Sequence, residues 1–377
     1  MISQLLSALT GYSIFEGRVF RAGAAAILGA SIVFALMPSF LRFLRKVDAS
    51  SDFDKEGAPP SPPILGGLLL VVSTLVASLS FCELNGYVVS SLVILVAYSS
   101  VGLVDDVAKI RTKRKIKLGE ATAASYQAKA DGIGATTRLF LYFAFSLLVA
   151  FCAYKFIPEL RGNLTVPFVK PELWHPYLPN WIFIPFISFV ITAMANGTNF
   201  TDGLDSLVAV PIITCAAFVG IIAYVSGNAT FANYLHIPYL PGVDELFPLA
   251  SAIIGTQIAW LWYNCPPAQI YMGDAGSIGF GGALGLMFVL VQAGLFLPIV
   301  GIVVLAEACS VAMQIGYFKL SGGRRIFLCA PLHHHYQLKW KTMFPSKPLL
   351  NSKIAWRMHI VSVFALIIGL TLFFKVR

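Results

Sequence analysis

Apolar blocks of about twenty residues recur along this sequence, and most charged residues lie in the segments between them. Blocks of that length match the thickness of the hydrocarbon core of a bilayer. Only 12% of the 377 residues are charged and 57% are hydrophobic, whereas about a quarter of the residues in soluble domains are charged. The sequence therefore predicts an all-α, polytopic membrane protein that forms a single transmembrane domain over residues 1–377.

Ten transmembrane helices are predicted from the apolar blocks. We place them at residues 20–42, 64–82, 87–104, 137–157, 181–196, 207–226, 247–263, 277–293, 298–318 and 355–374. The first block is too long for the apolar region of a signal peptide and ends in basic residues, so we expect it to be the first span. The eighth and ninth spans form one continuous apolar stretch, and Gln292 and Pro298 supply the expected turn between them.

The distribution of Lys and Arg predicts the orientation in the membrane. With ten spans, 20 of the 27 Lys and Arg residues fall in one set of loops. Because cytoplasmic loops carry the excess of basic residues, the expected cytoplasmic loops are about 43–63, 105–136, 197–206, 264–276 and 319–354, with both termini periplasmic. We expect a multi-pass protein of the bacterial cytoplasmic (inner) membrane, whose basic cytoplasmic face meets anionic lipids and substrates.

Four clusters of chemically capable residues fall on the predicted cytoplasmic face. They are the Asp105-Asp106 pair, Asp202 with Asp205, Asp274, and the run His333-His334-His335. Carboxylates at the hydrocarbon boundary are energetically costly, so several of them on one face indicate a compensating cation. Mg²⁺ prefers carboxylate oxygen and is usually shared with substrate phosphates, which predicts chemistry at phosphorus.

Two of these clusters also have a purely structural interpretation. Asp105 or Asp106 would form an ordinary helix ion pair with Lys109. Asp202 and Asp205 would belong to a simple turn and helix cap.

The histidine run does not predict a metal site. Three consecutive histidines diverge on a helix or a strand, so they cannot all bind one metal. Contact with phosphate or nucleotide, or proton transfer, is favoured over zinc because a third soft ligand is lacking nearby. On the ninth predicted span, Glu307 is expected to hold helices together, whereas Gln314 lies near the cytoplasmic end, where it can touch a ligand.

Four motifs occur in an order and at a spacing that cover almost the whole chain. They are Val101-Gly-Leu-Val-Asp-Asp-Val-Ala-Lys109, Asn199-Phe-Thr-Asp-Gly-Leu-Asp205, Asn264 followed by Ala268-Gln-Ile-Tyr-Met-Gly-Asp-Ala-Gly-Ser277, and Ala330-Pro-Leu-His-His-His-Tyr-Gln-Leu-Lys339. Together they resemble the motifs of the phospho-N-acetylmuramoyl-pentapeptide transferases, the MraY family.

The resemblance implies a Mg²⁺-dependent enzyme with ten transmembrane helices and a cytoplasmic site. Such an enzyme transfers phospho-MurNAc-pentapeptide from UDP-MurNAc-pentapeptide to undecaprenyl phosphate, forming lipid I and UMP in peptidoglycan biosynthesis. The implied partners are these two substrates, the lipid bilayer and a second copy of the chain in a homodimer, and no nucleic acid is expected.

The resemblance also implies which residues form the site. Asp274 would ligate Mg²⁺, Asp105 and Asp106 would activate or orient the lipid phosphate, and His333 would be catalytic. The implied substrate-binding residues are Lys55, Lys109, Asn196, Asn199, Asp202, Gly203, Asp205, Asn264, Tyr271, Gln314, His334 and His335. Lys55 lies in a proline-rich segment that departs from the family pattern, and the basic loop after Lys109 is longer than usual, so we expect a mobile, lipid-facing segment there.

The sequence leaves alternatives open at two levels. The lipid phosphate either attacks the nucleotide sugar directly or reacts through a phospho-aspartate. A GlcNAc-1-phosphate transferase of the same superfamily is the alternative enzyme, and a transporter or lipid flippase is the alternative class. Acids gathered at one interface favour the enzyme over the transporter.

Overall fold

A computed structural model describes residues 2–50, 61–117, 135–169, 174 and 176–375. Within those residues every regular element is a helix, which confirms the all-α prediction. The α-helices are α1 (Ile2–Thr10), α2 (Arg18–Lys46), α3 (Gly66–Phe81), α4 (Gly86–Lys117), α5 (Ala135–Phe156), α6 (Asn180–Thr201), α7 (Ala209–Ser226), α8 (Ala229–Leu235), α9 (Leu246–Asn264), α10 (Asp274–Leu290), α11 (Leu297–Val300), α12 (Ile302–Leu320), α13 (Leu332–Lys339) and α14 (Lys347–Lys375). Short 3-10 helices occupy Ser13–Glu16, Val243–Glu245 and Gly294–Phe296.

A helix occupies each of the ten positions at which a transmembrane span was predicted. In the described part of the chain, eight helices are long and apolar enough to cross a bilayer. The other two, α3 and α10, are apolar but have only 16 and 17 residues. The turn predicted between the eighth and ninth spans is present, since Gln292 follows α10 with a φ of 55°. The protein is therefore a multi-pass membrane protein, and the sidedness stays a prediction.

Two helices continue well past the apolar stretches that predicted them. Helix α4 runs to Lys117, although its apolar block ends near residue 104, and α14 begins at Lys347, ahead of an apolar block that starts near residue 355. Lys and Arg are good helix formers, so a change in hydropathy does not end a helix. As a result, Asp105, Asp106 and Lys109 lie on one continuous helix.

Helix α10 lies at the centre of the bundle, and all 17 of its residues are buried. It packs against α3, α4 and α6. A Cβ on Gly67 of α3 would collide with the backbone of Gly276, and a Cβ on Gly102 of α4 would collide with the backbone of Asp274. Small residues at such crossings let helices approach closely in membranes. The glycines thereby bring the first turn of α10 directly against α4.

The N-terminal end of α9 is fixed by a buried ion pair. Arg21 of α2 donates two hydrogen bonds to the carboxylate of Glu245, at 2.7 and 2.6 Å. Both side chains are almost fully buried, and Arg18 pairs with the neighbouring Asp244. A bidentate arginine pair has a defined geometry, so it sets the position of α2 against α9 at the end of the bundle remote from Asp274.

Candidate active site

A cavity of about 700 Å³ opens at the end of the bundle where α10 begins. Its walls come from α4, α6, α10, α13 and α14 and from the loops that follow α6 and α9. The polar and charged side chains that line it are Asp106, Lys109, Asn199, Asp202, Asp205, Tyr271, Asp274, His334, Gln337, Lys341, Lys347 and Asn351.

Asp106 of α4 caps the N-terminus of α10. Its carboxylate oxygens accept hydrogen bonds from the backbone N–H groups of Asp274 and Ala275, each at 3.1 Å. The first N–H groups of a helix have no intrahelical partner and carry partial positive charge, so a carboxylate there is stabilising. Gly273 precedes the helix with a φ of 77°, and a Cβ on it would meet Asp106 Oδ2 at 2.6 Å. Glycine is therefore required at position 273 both by backbone conformation and by space.

Asp274 lies where three other helices converge. Its Oδ1 accepts a hydrogen bond from Asn199 Nδ2 of α6 at 2.9 Å. Its Oδ2 accepts from Lys109 Nζ of α4 at 3.0 Å and from Arg138 Nη1 of α5 at 3.1 Å. Four helices thus meet at one carboxylate.

Asp105 also contacts Lys109 and Arg138. It is fully buried, and its Oδ2 lies 2.8 Å from Lys109 Nζ and 3.2 Å from Arg138 Nη1. Asp105, Asp106, Asp274, Lys109 and Arg138 therefore form one cluster of three carboxylates and two cations, which we call the acidic centre. An excess of negative charge in a partly buried cluster favours binding of a further cation.

The turn after α6 adds two carboxylates to the cavity wall. Burial, together with the negative charges of Asp274 and Asp106, raises the pKa of Asp202 well above its ordinary value. Burial also raises the pKa of Asp205, although its Oδ2 accepts a hydrogen bond from the backbone N–H of Ala268 at 3.2 Å. The turn is thereby attached to the loop that leads to Asp274.

Asn264, at the end of α9, joins the same two loops. Its Oδ1 accepts from the Ser206 N–H and its Nδ2 donates to the Ile270 carbonyl, both at 2.8 Å. Because both ends of the amide are used in this way and the residue is buried, Asn264 does not line the cavity. Tyr271, which follows Ile270, does line it.

His333 is held by a buried carboxylate. Glu307 of α12 accepts a hydrogen bond from the His333 backbone N–H at 3.1 Å, and its Oε2 lies 3.1 Å from His333 Nδ1. Both side chains are almost completely buried. Since a carboxylate accepts, Nδ1 is the donor of this hydrogen bond, and the other ring nitrogen is Nε2. That Nε2 has no hydrogen-bond partner within the described residues, and it faces Gly203.

The other two histidines of the run point in different directions. His334 lines the cavity, and its Nδ1 lies 2.7 Å from Gln337 Oε1. Gln337 in turn donates to Asn351 of α14 at 2.8 Å. His335 accepts instead from the backbone N–H of Leu328 at 3.2 Å. The divergence expected of consecutive histidines on a helix is therefore observed.

The structure brings most of the predicted site residues together. Nine of them line the cavity: Asp106, Lys109, Asn199, Asp202, Gly203, Asp205, Tyr271, Asp274 and His334. Asp105 and His333 lie directly behind this lining, through their contacts with Lys109 and Gly203.

Four predicted residues lie elsewhere. Besides Asn264 and His335, these are Asn196, which donates to the Thr192 carbonyl within α6 at 2.8 Å, and Gln314, whose Oε1 accepts from the backbone of Ile326 and Phe327 at 3.1 and 3.0 Å. Gln314 therefore holds the segment before the histidine run instead of lining the main cavity. Lys55 lies in residues 51–60, outside the described part of the chain. The mobile basic loop expected directly after Lys109 is wrong up to residue 117, because these residues continue α4 and Lys113 is buried against Ser50 and Asp48. The rest of that predicted loop falls in residues 118–134, which the structure does not describe.

Several residues of the site gave no distinct signal in the sequence. Arg138, at the start of the fourth predicted span, is distinguished in the sequence only by its charge, and Glu307 was expected only to hold helices together. Gln337 belongs to the histidine motif, but no role was predicted for it, and Asn351 lies on the extended part of α14 outside every quoted motif.

The donor set fits a magnesium ion shared with phosphate. Within the described residues no three Asp, Glu, His or Cys side chains are arranged to enclose a metal ion. Mg²⁺, however, commonly takes only one or two carboxylates and completes its shell with water and substrate phosphate. Asp274 lines the cavity, and its Oδ1 accepts a hydrogen bond from Asn199. A carboxylate oxygen has two lone pairs, so it can accept such a bond and ligate a cation at the same time. Asp202 is a second carboxylate beside Asp274. Burial and the neighbouring negative charges raise its pKa, so an added cation would stabilise its charged form.

Comparison with known proteins gives two findings. The family model described as glycosyl transferase family 4 matches residues 88–292. The protein named phospho-N-acetylmuramoyl-pentapeptide-transferase from Desulfotalea psychrophila (strain LSv54 / DSM 12343) is 35% identical in an alignment that covers 96% of this chain and 95% of its own length. The family-model match ends before α12, whereas the similarity to the relative extends over α12 to α14 and the histidine run.

Proposed function

We propose a reaction from one premise: this chain belongs to the phospho-N-acetylmuramoyl-pentapeptide transferases, within glycosyl transferase family 4. Its reaction is the transfer of phospho-MurNAc-pentapeptide from UDP-MurNAc-pentapeptide to undecaprenyl phosphate. The products are lipid I and UMP, and the step belongs to peptidoglycan biosynthesis. Mg²⁺ is the expected cofactor, and the acidic centre is expected to face the cytoplasm.

The observation that supports this reaction most directly is the composition of the acidic centre. Lys109 and Arg138 place two cations beside Asp274 at 3.0 and 3.1 Å at the end of a cavity. A diphosphate needs both kinds of group, since cations bind its oxygens and carboxylates hold the metal that it shares. Catalysis at phosphorus depends mainly on such positioning and electrostatic stabilisation.

The remainder of the cavity suits a nucleotide. Tyr271 offers an aromatic face for a base, and Asn351, Gln337 and His334 form a hydrogen-bonded row along one wall. The volume of about 700 Å³ is that of a small-molecule site. A UDP-sugar with a pentapeptide is larger than that, so we expect the peptide to extend out of the cavity.

Mg²⁺ would be held by Asp274. Asp202 interacts electrostatically with Asp274, so it would also be stabilised by the charge of the ion. The ion would neutralise phosphate oxygens of the nucleotide sugar. Asn199 keeps Asp274 oriented, since its amide donates both to Asp274 Oδ1 and to Ser277 Oγ.

The two adjacent aspartates are expected to orient groups instead of forming a covalent intermediate. Asp106 uses both carboxylate oxygens to bind backbone N–H groups, which leaves it poorly disposed to attack phosphorus. Asp105 holds Lys109 and Arg138, which would bind the attacking lipid phosphate. A phosphate monoester has a second pKa of about 6, so most of it is already doubly charged at neutral pH. Direct attack by the lipid phosphate is therefore the route we favour.

The test uses the detergent-purified protein with undecaprenyl phosphate and Mg²⁺. Release of UMP and formation of lipid I are measured with UDP-MurNAc-pentapeptide and, in parallel, with UDP-GlcNAc. We expect turnover with the first donor only, and its loss in Asp274→Asn but not in Glu16→Gln, a control at an exposed carboxylate far from the cavity in sequence. Turnover with UDP-GlcNAc alone would identify the other branch of the superfamily. No UMP release with either donor would refute the proposal that the protein is a transferase.

A further inference from the structure

The turn that carries Asp202 and Asp205 ends at a residue held from both sides. Ser206 has a φ of 63°, in the left-handed region that non-glycine residues rarely adopt. Its backbone N–H donates to Asn264 Oδ1 at 2.8 Å, and its carbonyl lies 3.0 Å from His359 Nε2. A strained backbone persists only when its surroundings hold it in place, and these two side chains do so here.

His359 reaches the turn from a distant part of the chain. It lies on α14, is 7% exposed, and contacts a residue 153 positions earlier in the sequence. A carbonyl can only accept, so Nε2 is the donor and carries the proton. Without that donor, the buried carbonyl would lose its hydrogen-bond partner, which is unfavourable.

Helix α14 also forms part of the cavity wall. Lys347, Leu350 and Asn351, two to three turns before His359, line the same cavity as Asp202 and Gly203 of the turn. The His359–Ser206 hydrogen bond is thus a direct link between two walls of the same cavity. None of the atoms of His359 lines that cavity.

We propose that His359 is a positioning residue for the nucleotide-sugar site. By donating to the Ser206 carbonyl it fixes the 202–206 turn against α14, and through the turn it sets the positions of Asp202 and Asp205. This inference rests on the proposed function, because it assumes that the cavity binds the UDP-sugar. The acidic centre is built from other helices, so the loss of this hydrogen bond weakens binding of the nucleotide more than it slows the chemical step.

The test compares two amides at this position. His359→Gln places an N–H about where Nε2 lies, whereas His359→Asn is too short to reach the carbonyl. We expect His359→Asn to raise KM for UDP-MurNAc-pentapeptide about tenfold, which corresponds to the loss of one hydrogen bond of about 1.4 kcal/mol. Its kcat and its KM for undecaprenyl phosphate should stay near those of the wild type, and His359→Gln should restore most of the lost affinity.

Two further variants separate positioning from general stability. His359→Phe keeps a ring but lacks the donor, so it should behave like His359→Asn. Phe364→Leu lies on the same helix, in an apolar groove on the membrane side that His359 also lines, and should leave both KM values unchanged. Thermal unfolding of every variant is followed in detergent, and UMP binding is measured by calorimetry as a readout that does not need turnover.

The outcomes are distinguishable. An unchanged KM and unchanged UMP affinity in both His359→Asn and His359→Phe would overturn the proposal. Equal losses in the Asn and Gln variants, with matching drops in melting temperature, would show a packing role only and would also overturn it. A wild-type protein that neither turns over UDP-MurNAc-pentapeptide nor binds UMP would instead refute the proposed function.

Discussion

Replacing Asp106 by asparagine is expected to destabilise the protein far more than the same change at its neighbour Asp105. Asparagine offers one acceptor oxygen, so at most one of the two hydrogen bonds from the first turn of α10 survives. The lost charge-assisted bond amounts to about 1.5–3 kcal/mol, and the lost charge at the helix N-terminus adds about 0.3–1 kcal/mol. The new NH₂ group also faces an N–H donor. The expected total is about 2–4 kcal/mol.

The matched variant Asp105→Asn leaves the two hydrogen bonds at the N-terminus of α10 intact. Its amide oxygen still accepts from Lys109 or Arg138, and both cations retain Asp274 at 3.0 and 3.1 Å. Neutralising Asp105 also reduces the excess of negative charge in the acidic centre. We therefore expect a smaller loss than in Asp106→Asn.

Thermal unfolding in detergent, without substrate and with a metal chelator, measures this difference independently of any activity. The melting temperature should fall clearly for Asp106→Asn and little for Asp105→Asn. Equal shifts, or a larger shift for Asp105→Asn, would refute the assignment of Asp106 as the cap of α10.

Three further predictions follow from the site. Glu307→Gln should lower kcat about tenfold by weakening one hydrogen bond that orients His333, whereas Ser310→Ala on the same helix should not; equal kcat values in steady-state assays would contradict this. Asp202→Asn should reduce the pH dependence of stability in metal-free buffer. Burial raises the pKa of Asp202 in the folded protein above its unfolded value of 3.8, so the wild type loses stability as the pH rises from the unfolded pKa to the folded one. Melting temperatures of variant and wild type that change in parallel from acidic to neutral pH would contradict this. Gly102→Ala should lower both stability and activity, because the added methyl meets the Asp274 backbone; a melting temperature equal to that of the wild type would show that α4 and α10 are not in close contact there.

The positions of the helices were predictable because the bilayer sets the length of an apolar span. The acidic residues were predictable as a group because they cost free energy at the boundary of an apolar block. Asp106, Asp202 and Asp274 lie far apart in sequence, and all three line one cavity, as expected for residues predicted to lie on one face of the membrane.

The partners of those residues were not predictable, because each depends on where a distant segment returns. Gln314 looked like a ligand contact, but the chain reverses at Gly322 and Gly323, which have φ of 68° and 103°, and covers it with residues 326 and 327. Arg138 is a basic residue near the start of a helix, as expected beside a cytoplasmic loop. Nothing in the sequence indicates that it contacts Asp274. His359 lies in a predicted apolar span, and nothing in the sequence around it indicates its hydrogen bond to a remote carbonyl.

The complete enclosure of α10 has a consequence for how the protein responds to its lipid surroundings. Spans that face lipid adapt to changes in bilayer thickness by tilting, but α10 has no lipid-facing residue. Asp274 therefore stands on an element that is shielded from such changes, while Asp106 and the glycine contacts fix it to α4. Thicker or thinner membranes would then alter how the lipid substrate arrives without altering the geometry that receives it.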